Sequence, residues 1–187
     1  MYAASNAASI VPLDHVRPEQ VIDYEAGFHW VRGDVRASAN LFAMEFREEI
    51  APVGALSLTG SPLRVNVGAS HRRGGEGEVQ WQATTRLLLG TTLAVTDARI
   101  HRYTDAASGT VYRNARSRLT PVAVATQTAT WRAGRGVTLL ADARAVSGSS
   151  LSNTGNRAAV LPGYLLADAA VAWARGASQV TVRVNNV

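Results

Sequence analysis

The sequence contains no cysteine, and its apolar residues never run together for long. The first absence excludes a disulfide framework and a thiolate metal site. The second excludes a transmembrane helix, which needs roughly 18 or more uninterrupted apolar residues. The opening residues also lack the basic and then apolar pattern of a signal peptide. Either the chain stays in the cytoplasm, or the N-terminal part of a longer protein is missing.

Lysine is absent too, so all 19 basic residues other than histidine are arginines. The net charge is +5, but the arginines are scattered, and only Arg72 and Arg73 are adjacent. A nucleic-acid surface needs basic residues clustered on one face. The sequence therefore gives no reason to expect a nucleic-acid partner.

Alternation of apolar and polar residues is the main pattern that is present, and it is clearest between Leu161 and Val187. A period of two places successive side chains on opposite faces of a strand. The turn at 174–177 contains glycine and is short, as a hairpin requires. This stretch therefore predicts two antiparallel strands with one apolar face, which carries Leu165, Ala167, Ala169, Val171, Trp173, Val180, Val182 and Val184.

The same pattern recurs along the chain and predicts an all-β fold of about eight antiparallel, up-and-down strands, with no convincing helix. Short turns are expected near 32–34, 86–90, 133–136 and 174–177, and long loops near 49–62, 104–119 and 148–161. Alternate connections of such a sheet lie at opposite ends. All the short turns should therefore share one end of the sheet.

The four tryptophans each precede a short turn by a few residues. In a soluble sandwich they would have no reason to favour one end. In an outer-membrane barrel, aromatic residues form a belt at the membrane interface, and short turns lie on the periplasmic side. The pattern therefore favours a transmembrane β-barrel segment whose interface belt contains Trp30, Trp81, Trp131 and Trp173.

No catalytic, cofactor-binding or metal-binding set is visible, so an enzyme is not expected. The Gly-rich stretch at 74–77 lacks the helix and lysine of a phosphate-binding loop. The histidines share no metal-ligand spacing; they are His15, His29, His71 and His101.

Four segments resemble recurring motifs of the TonB-dependent outer-membrane receptors. VRPEQVIDYEAGF (16–28) resembles the family's L-K-P-E and Y-E-x-G pattern, and RRGGEGEVQW (72–81) resembles R-G-x-E-x-E with one extra glycine. LPGYLLADAAVAW (161–173) resembles L-P-G-Y-x-x-x-D, and VTVRVNN (180–186) resembles the penultimate strand ending in V-x-N-L. The four segments occur in the family's order over most of the chain.

The resemblance implies that residues 1–187 form the C-terminal portion of a barrel of about 22 strands, without the plug domain and the final strand. It implies a cell outer-membrane location in a Gram-negative bacterium, with lipid around the barrel and an inner-membrane TonB energy-coupling complex as partner through the plug. The cargo would be a scarce ligand, namely a metal chelate such as a ferric siderophore, or cobalamin. The resemblance implies no cofactor.

Arginines in the long loops are the candidates for attracting an anionic chelate by their long-range field; they are Arg113, Arg116 and Arg118 in one loop and Arg157 in another. Ordinary solvated loop charge is the simpler interpretation of the same residues. Two other functions remain open at this point. One is a passive porin, and the other is a soluble β-sandwich binding module, because alternation alone does not separate a lipid-facing sheet from a sandwich.

Overall fold

One large antiparallel sheet dominates the fold in a computed structural model that describes residues 16–56, 60–105 and 108–186. None of the described residues belongs to a helix long and apolar enough to span a membrane. The strands are β1 (Gln20–Arg32), β2 (Val35–Arg47), β3 (Ile50–Leu56), β4 (Pro62–Asn66), β5 (Ser70–Gln82), β6 (Leu87–Thr104), β7 (Val111–Arg116), β8 (Ala123–Gly134), β9 (Val137–Val146), β10 (Ser149–Ser150), β11 (Val160–Leu161), β12 (Tyr164–Arg175) and β13 (Ser178–Asn185).

The eight long strands follow one another across the sheet in the order β1-β2-β5-β6-β8-β9-β12-β13, and each pair is antiparallel. Short turns at 33–34, 83–86, 135–136 and 176–177 join β1 to β2, β5 to β6, β8 to β9 and β12 to β13. These turns therefore share one end of the sheet, the short-turn end. The predicted all-β, up-and-down fold with about eight strands is confirmed.

Four expected connections were wrong in detail, among them the loop predicted at 148–161, which contains the short paired strands β10 and β11. The turn predicted at 86–90 lies at 83–86, because Leu87 and Leu89 already face Trp131 and Trp81 across the ladders. The loop predicted at 49–62 contains β3 and the start of β4, which form a separate hairpin. The loop predicted at 104–119 contains β7, which pairs with the upper part of β6.

Most apolar side chains of the eight long strands fall on one face of the sheet, called here the outward face. Directly opposite residues of an antiparallel pair lie on the same face, and the register links Phe28 to Ala39, Gly77 and Leu93. Every residue of the edge strands β1 and β13 is exposed. A sandwich would bury its apolar face under a second sheet, and among the described residues no second layer covers it.

The buried core is small and lies at the loop end, on the opposite or inward face. The core residues Ala51 and Val67 of the β3–β4 region pack against Ile100 and Tyr103 of β6. Tyr112 of β7 stacks on Tyr103 with ring centroids 6.5 Å apart. The hairpin of β3 and β4 is therefore held on the inward side of β6 and β7.

Candidate functional site

The four tryptophans lie on the outward face at the short-turn end. Trp81 is opposite Val35 and Leu89, and Trp131 is opposite Leu87. Their exposed fractions are close to one another, between 40% and 49%. The register therefore places on one face, each near a short turn, the residues Trp30, Trp81, Trp131 and Trp173.

An apolar stretch extends from the tryptophan toward the loop end on three of the four strands that carry one. On β1 it runs from Ile22 to Trp30, on β8 from Ala123 to Trp131, and on β12 from Leu165 to Trp173, nine residues in each case. At about 3.3 Å per residue and a tilt of about 40°, nine residues span about 23 Å. The outward face thus carries an apolar band that is nearly as tall as the band of about 25 Å on transmembrane barrels.

One polar pair interrupts the band at half its height. The Thr91 hydroxyl donates to Oε1 of Gln127 at 2.6 Å, and the Gln127 amide donates to the Thr128 carbonyl oxygen at 3.2 Å. Polar groups without access to water must find partners within the protein. The pair satisfies that requirement.

Polar side chains line much of the inward face. Asn40 donates to Glu25 at 3.3 Å, and Glu76 and Glu78 line a recess of about 440 Å³ together with Thr92. Water-filled lumens of large barrels have this kind of surface, whereas the band on the other face has the composition that lipid favours. The two faces therefore suit two different media.

Charged residues replace apolar ones on the outward face directly above the band. Arg73 donates to Glu45 at 2.9 Å, and Arg99 donates to Asp97 at 2.9 Å. Also above the band, a hydrogen bond of 2.9 Å joins Nδ1 of His71 on β5 to Nε2 of His101 on β6. These contacts mark the level at which the outward face changes from apolar to polar.

The loop arginines singled out in the sequence lie on different elements. Arg113 and Arg116 belong to β7 rather than to a loop, and both are exposed. Arg157 is exposed between β10 and β11. Arg118 follows β7 and is half-buried, and its Nε has no hydrogen-bond partner within the described residues. Their role toward a ligand stays a prediction.

Asn153, which the sequence did not single out, joins three long connections. Its side chain is 3% exposed; Oδ1 accepts from the Arg118 amide at 3.0 Å, and Nδ2 donates to the Pro52 carbonyl oxygen at 3.0 Å. The Leu119 amide donates to the Ser150 carbonyl oxygen at 2.7 Å beside it. The only sequence signal is an asparagine in a Ser- and Gly-rich loop, which is typical of any turn.

A metal centre is not among the sites that the described residues form, since no three or more His, Asp or Glu side chains there converge as metal ligands. His71 and His101 make the ring contact described above, and His29 lies on the inward face opposite Ser38. His15 falls outside the described residues.

Comparison with protein families shows to which family the chain belongs. The profile of the family described as "TonB dependent receptor-like, beta-barrel" matches residues 1–187. The chain belongs to the TonB-dependent receptor β-barrel family. None of the curated protein sequences compared with the chain matches it.

Solved TonB-dependent receptors have the same strand arrangement. The ferric yersiniabactin uptake receptor of Yersinia pestis is 18% identical to this chain, with a TM-score of 0.70. The match covers 90% of this chain and 25% of the receptor chain. The ferric-catecholate import receptor of E. coli K12 is 19% identical, with a TM-score of 0.67 and coverages of 92% and 24%. A copper transporter is 14% identical, with a TM-score of 0.68 and coverages of 92% and 26%. The chain thus spans about a quarter of these structures, and identities this low show the fold alone.

Proposed function

We propose that the chain is the C-terminal part of the barrel wall of an outer-membrane receptor that imports a scarce metal chelate into a Gram-negative bacterium. The observation that carries the proposal is the outward face, with its nine-residue apolar band and a row of tryptophans at the short-turn end. The polar inward face then borders the passage for the cargo, and the short turns lie on the periplasmic side.

The open edges of the sheet support a wall segment rather than a separate domain. Strands β1 and β13 each have one neighbour in the sheet. In a bilayer an unpaired edge leaves backbone donors and acceptors without partners, at a cost of several kcal/mol for each group. Both edges would therefore pair with further strands of the complete barrel.

The cargo class follows from the family and from the charge of the loop end. The similar solved proteins are a ferric yersiniabactin uptake receptor, a ferric-catecholate import receptor and a copper transporter. Many metal chelates are anionic, and the exposed Arg157, between β10 and β11 at the loop end, would attract such a cargo through its field. A ferric siderophore is the cargo we favour, with cobalamin as the second candidate. Energy would come from an inner-membrane TonB complex acting through a plug domain.

Uptake measured in cells tests the proposal. A strain lacking the full-length gene should lose import of its radiolabelled iron chelate, and import in the complemented strain should stop when a protonophore removes the energy supply. The receptor should fractionate with the outer membrane and migrate faster on a gel when unheated. Import that persists with the protonophore would instead indicate a passive porin, and a water-soluble protein would contradict both transport functions.

A further inference from the structure

Strand β7 pairs with β6 on one side and, among the described residues, has no strand on the other. Outside its ladder with β6, no backbone-to-backbone hydrogen bond of residues 111–116 occurs within the described ranges. The Ser117 amide donates to the Ala98 carbonyl oxygen at 3.0 Å. Because the backbone groups of neighbouring residues in a strand point to opposite sides, the Arg116 amide points away from β6. The outer edge of β7, called here the open edge, therefore offers unpaired backbone donors and acceptors.

Completion of the barrel would not fill the open edge. Strand β9 pairs with β8 and ends at Val146, so it does not reach β7. The chain then runs beside the segment that joins β7 to β8, where the Leu119 amide donates to the Ser150 carbonyl oxygen at 2.7 Å. Beyond that contact, Asn153 donates to the Pro52 carbonyl oxygen on the inward side. Further strands of a barrel would join at β1 and β13, which leaves the open edge for a segment from outside the sheet.

Four arginines of the β6–β7 hairpin determine the sign of the charge that such a segment can carry. Arg99 is directly opposite Arg116, and Arg102 is directly opposite Arg113. Like charges in directly opposite positions destabilise a strand pair, and opposite charges stabilise it. Among the described residues only Arg99 of the four forms an ion pair, with Asp97 at 2.9 Å. A basic strand at the open edge would therefore add repulsion, whereas an acidic strand would supply carboxylates that the hairpin lacks.

The two arginines of β7 are accessible beside the open edge. Arg113 and Arg116 are both exposed, whereas Ala115 is buried and Tyr112 packs against the inward core. The two arginines therefore lie on the side of β7 away from that core. Asn114 between them has a φ of 52°, and the alternation shifts by one residue there, so both arginines remain on the same side.

We propose that the open edge binds an extended acidic segment of a protein partner at the cell surface, by strand addition. In this mode the two backbones exchange hydrogen bonds, and alternate side chains of the added strand give specificity. Carboxylates of the partner accept hydrogen bonds from Arg113 and Arg116, since guanidinium groups match carboxylates in pairs of parallel bonds. The six residues of β7 span about 20 Å, enough for a segment of similar length. The inference rests on the proposed function for the side of the membrane, because it takes the loop end as the outer side.

Peptide binding by the full-length receptor in detergent micelles tests the inference. The probe is a fluorescent peptide of about eight residues that alternates glutamate with threonine, and anisotropy measures its affinity. It should bind the wild-type receptor, whereas a peptide that alternates lysine with threonine should not. The glutamate peptide with every backbone amide N-methylated keeps its charge but has no backbone donor, so it should bind at least about tenfold more weakly.

Substitutions beside the open edge test the same contact from the receptor side. The variant R113Q/R116Q removes both charges of β7 and should weaken binding of the glutamate peptide by about tenfold. Charge reversal in R113E/R116E should exchange the preference, so that the lysine peptide binds instead. The matched control R135Q/R175Q removes equal charge from exposed arginines at the short-turn end and should bind as the wild type does. Hydrogen exchange at the Arg116 amide should slow when the glutamate peptide is bound.

Equal affinity of the wild type and R113Q/R116Q for the glutamate peptide overturns the inference, and so does an equal loss in the control variant. Binding without slower exchange at Arg116, or undiminished binding of the N-methylated peptide, indicates contact by side chains alone and overturns strand addition. No peptide binding by a receptor that resides in the outer membrane and imports iron defeats this inference alone. A receptor absent from the outer membrane defeats the proposed function, and with it the location of the partner at the cell surface, even where the peptide binds.

Discussion

Arginine substitutions on the two faces of the sheet test the central assignment, that the outward face meets lipid. Ala141 lies on that face, opposite Ala129 and Ala169, at the middle of the band segment from Val137 to Ala145. An arginine at the bilayer midplane on the lipid side of a barrel costs about 2–4 kcal/mol, and near an interface about 0–1 kcal/mol. Ala141→Arg should therefore lower the free energy of unfolding by the larger amount, and Ala145→Arg by the smaller.

The matched control makes the same exchange on the inward face. Ala94 lies opposite Glu76 and borders the polar recess. An arginine there has water and a carboxylate partner across the strands, so Ala94→Arg should change the folding free energy by less than about 1 kcal/mol.

Reversible folding of the full-length receptor into lipid vesicles, followed over a denaturant series, measures these differences. The assignment predicts a large cost at 141, a small cost at 145 and a negligible cost at 94. Equal costs at 141 and 94, or a cost at 145 that matches the cost at 141, would refute a lipid-facing band. A sheet with water on both faces would tolerate all three substitutions.

Four further predictions concern single contacts in the full-length receptor. Thr91→Val should cost about 1–3 kcal/mol in the same folding assay because it leaves the Gln127 carbonyl oxygen without its donor, and adding Gln127→Leu should restore most of the loss. Asn153→Ala should open the long connections locally, seen as faster hydrogen exchange at the Arg118 amide and faster proteolysis, at about 1–3 kcal/mol for each backbone group left unpaired. Gly74→Ala should destabilise by about 1–3 kcal/mol because its Cβ would lie 2.1 Å from the Val95 carbonyl oxygen, whereas Gly77→Ala, with 3.4 Å to its nearest atom, should be tolerated. Burial raises the pKa of the Tyr103 phenol above its usual value, so stability should fall as the pH rises past the ordinary tyrosine pKa of about 10. Tyr103→Phe should remove this pH dependence and one late-ionising phenol from an ultraviolet titration.

Alternation with a period of two was sufficient to predict the long strands. In β9 and β12 the apolar parity runs without interruption from Val137 and from Leu165, and the short turns carry glycine at 134, 136 and 176. A period of two fixes the face of every residue once one pair is in register. For that reason the tryptophan row could be predicted from spacing alone.

The elements at the loop end could not be predicted because long-range contacts decide them. The β3 segment contains Pro52 and Gly54, which are typical of loops. The β3–β4 register is also irregular between Pro52 and Leu56. Its place is fixed by the core around Ile100, far away in sequence. Gly90 reads as a turn residue for the same local reason, although it lies inside β6, where a Cβ would be 2.6 Å from Oγ1 of Thr128.

The two ends of the outward face differ, and this difference sets the orientation and the depth of the sheet in a bilayer. At the short-turn end it finishes in indole rings, which are amphipathic and favour the membrane interface. At the loop end it finishes in ion pairs such as Arg73 with Glu45, followed by the arginine pairs of β6 and β7. A single row of guanidinium groups near one interface costs little in lipid, whereas the same row displaced to mid-band would cost several kcal/mol. The boundary between Val95 and Asp97 on β6 therefore fixes how deep the sheet can lie in a bilayer, and the tryptophan level nine residues below fixes the other limit.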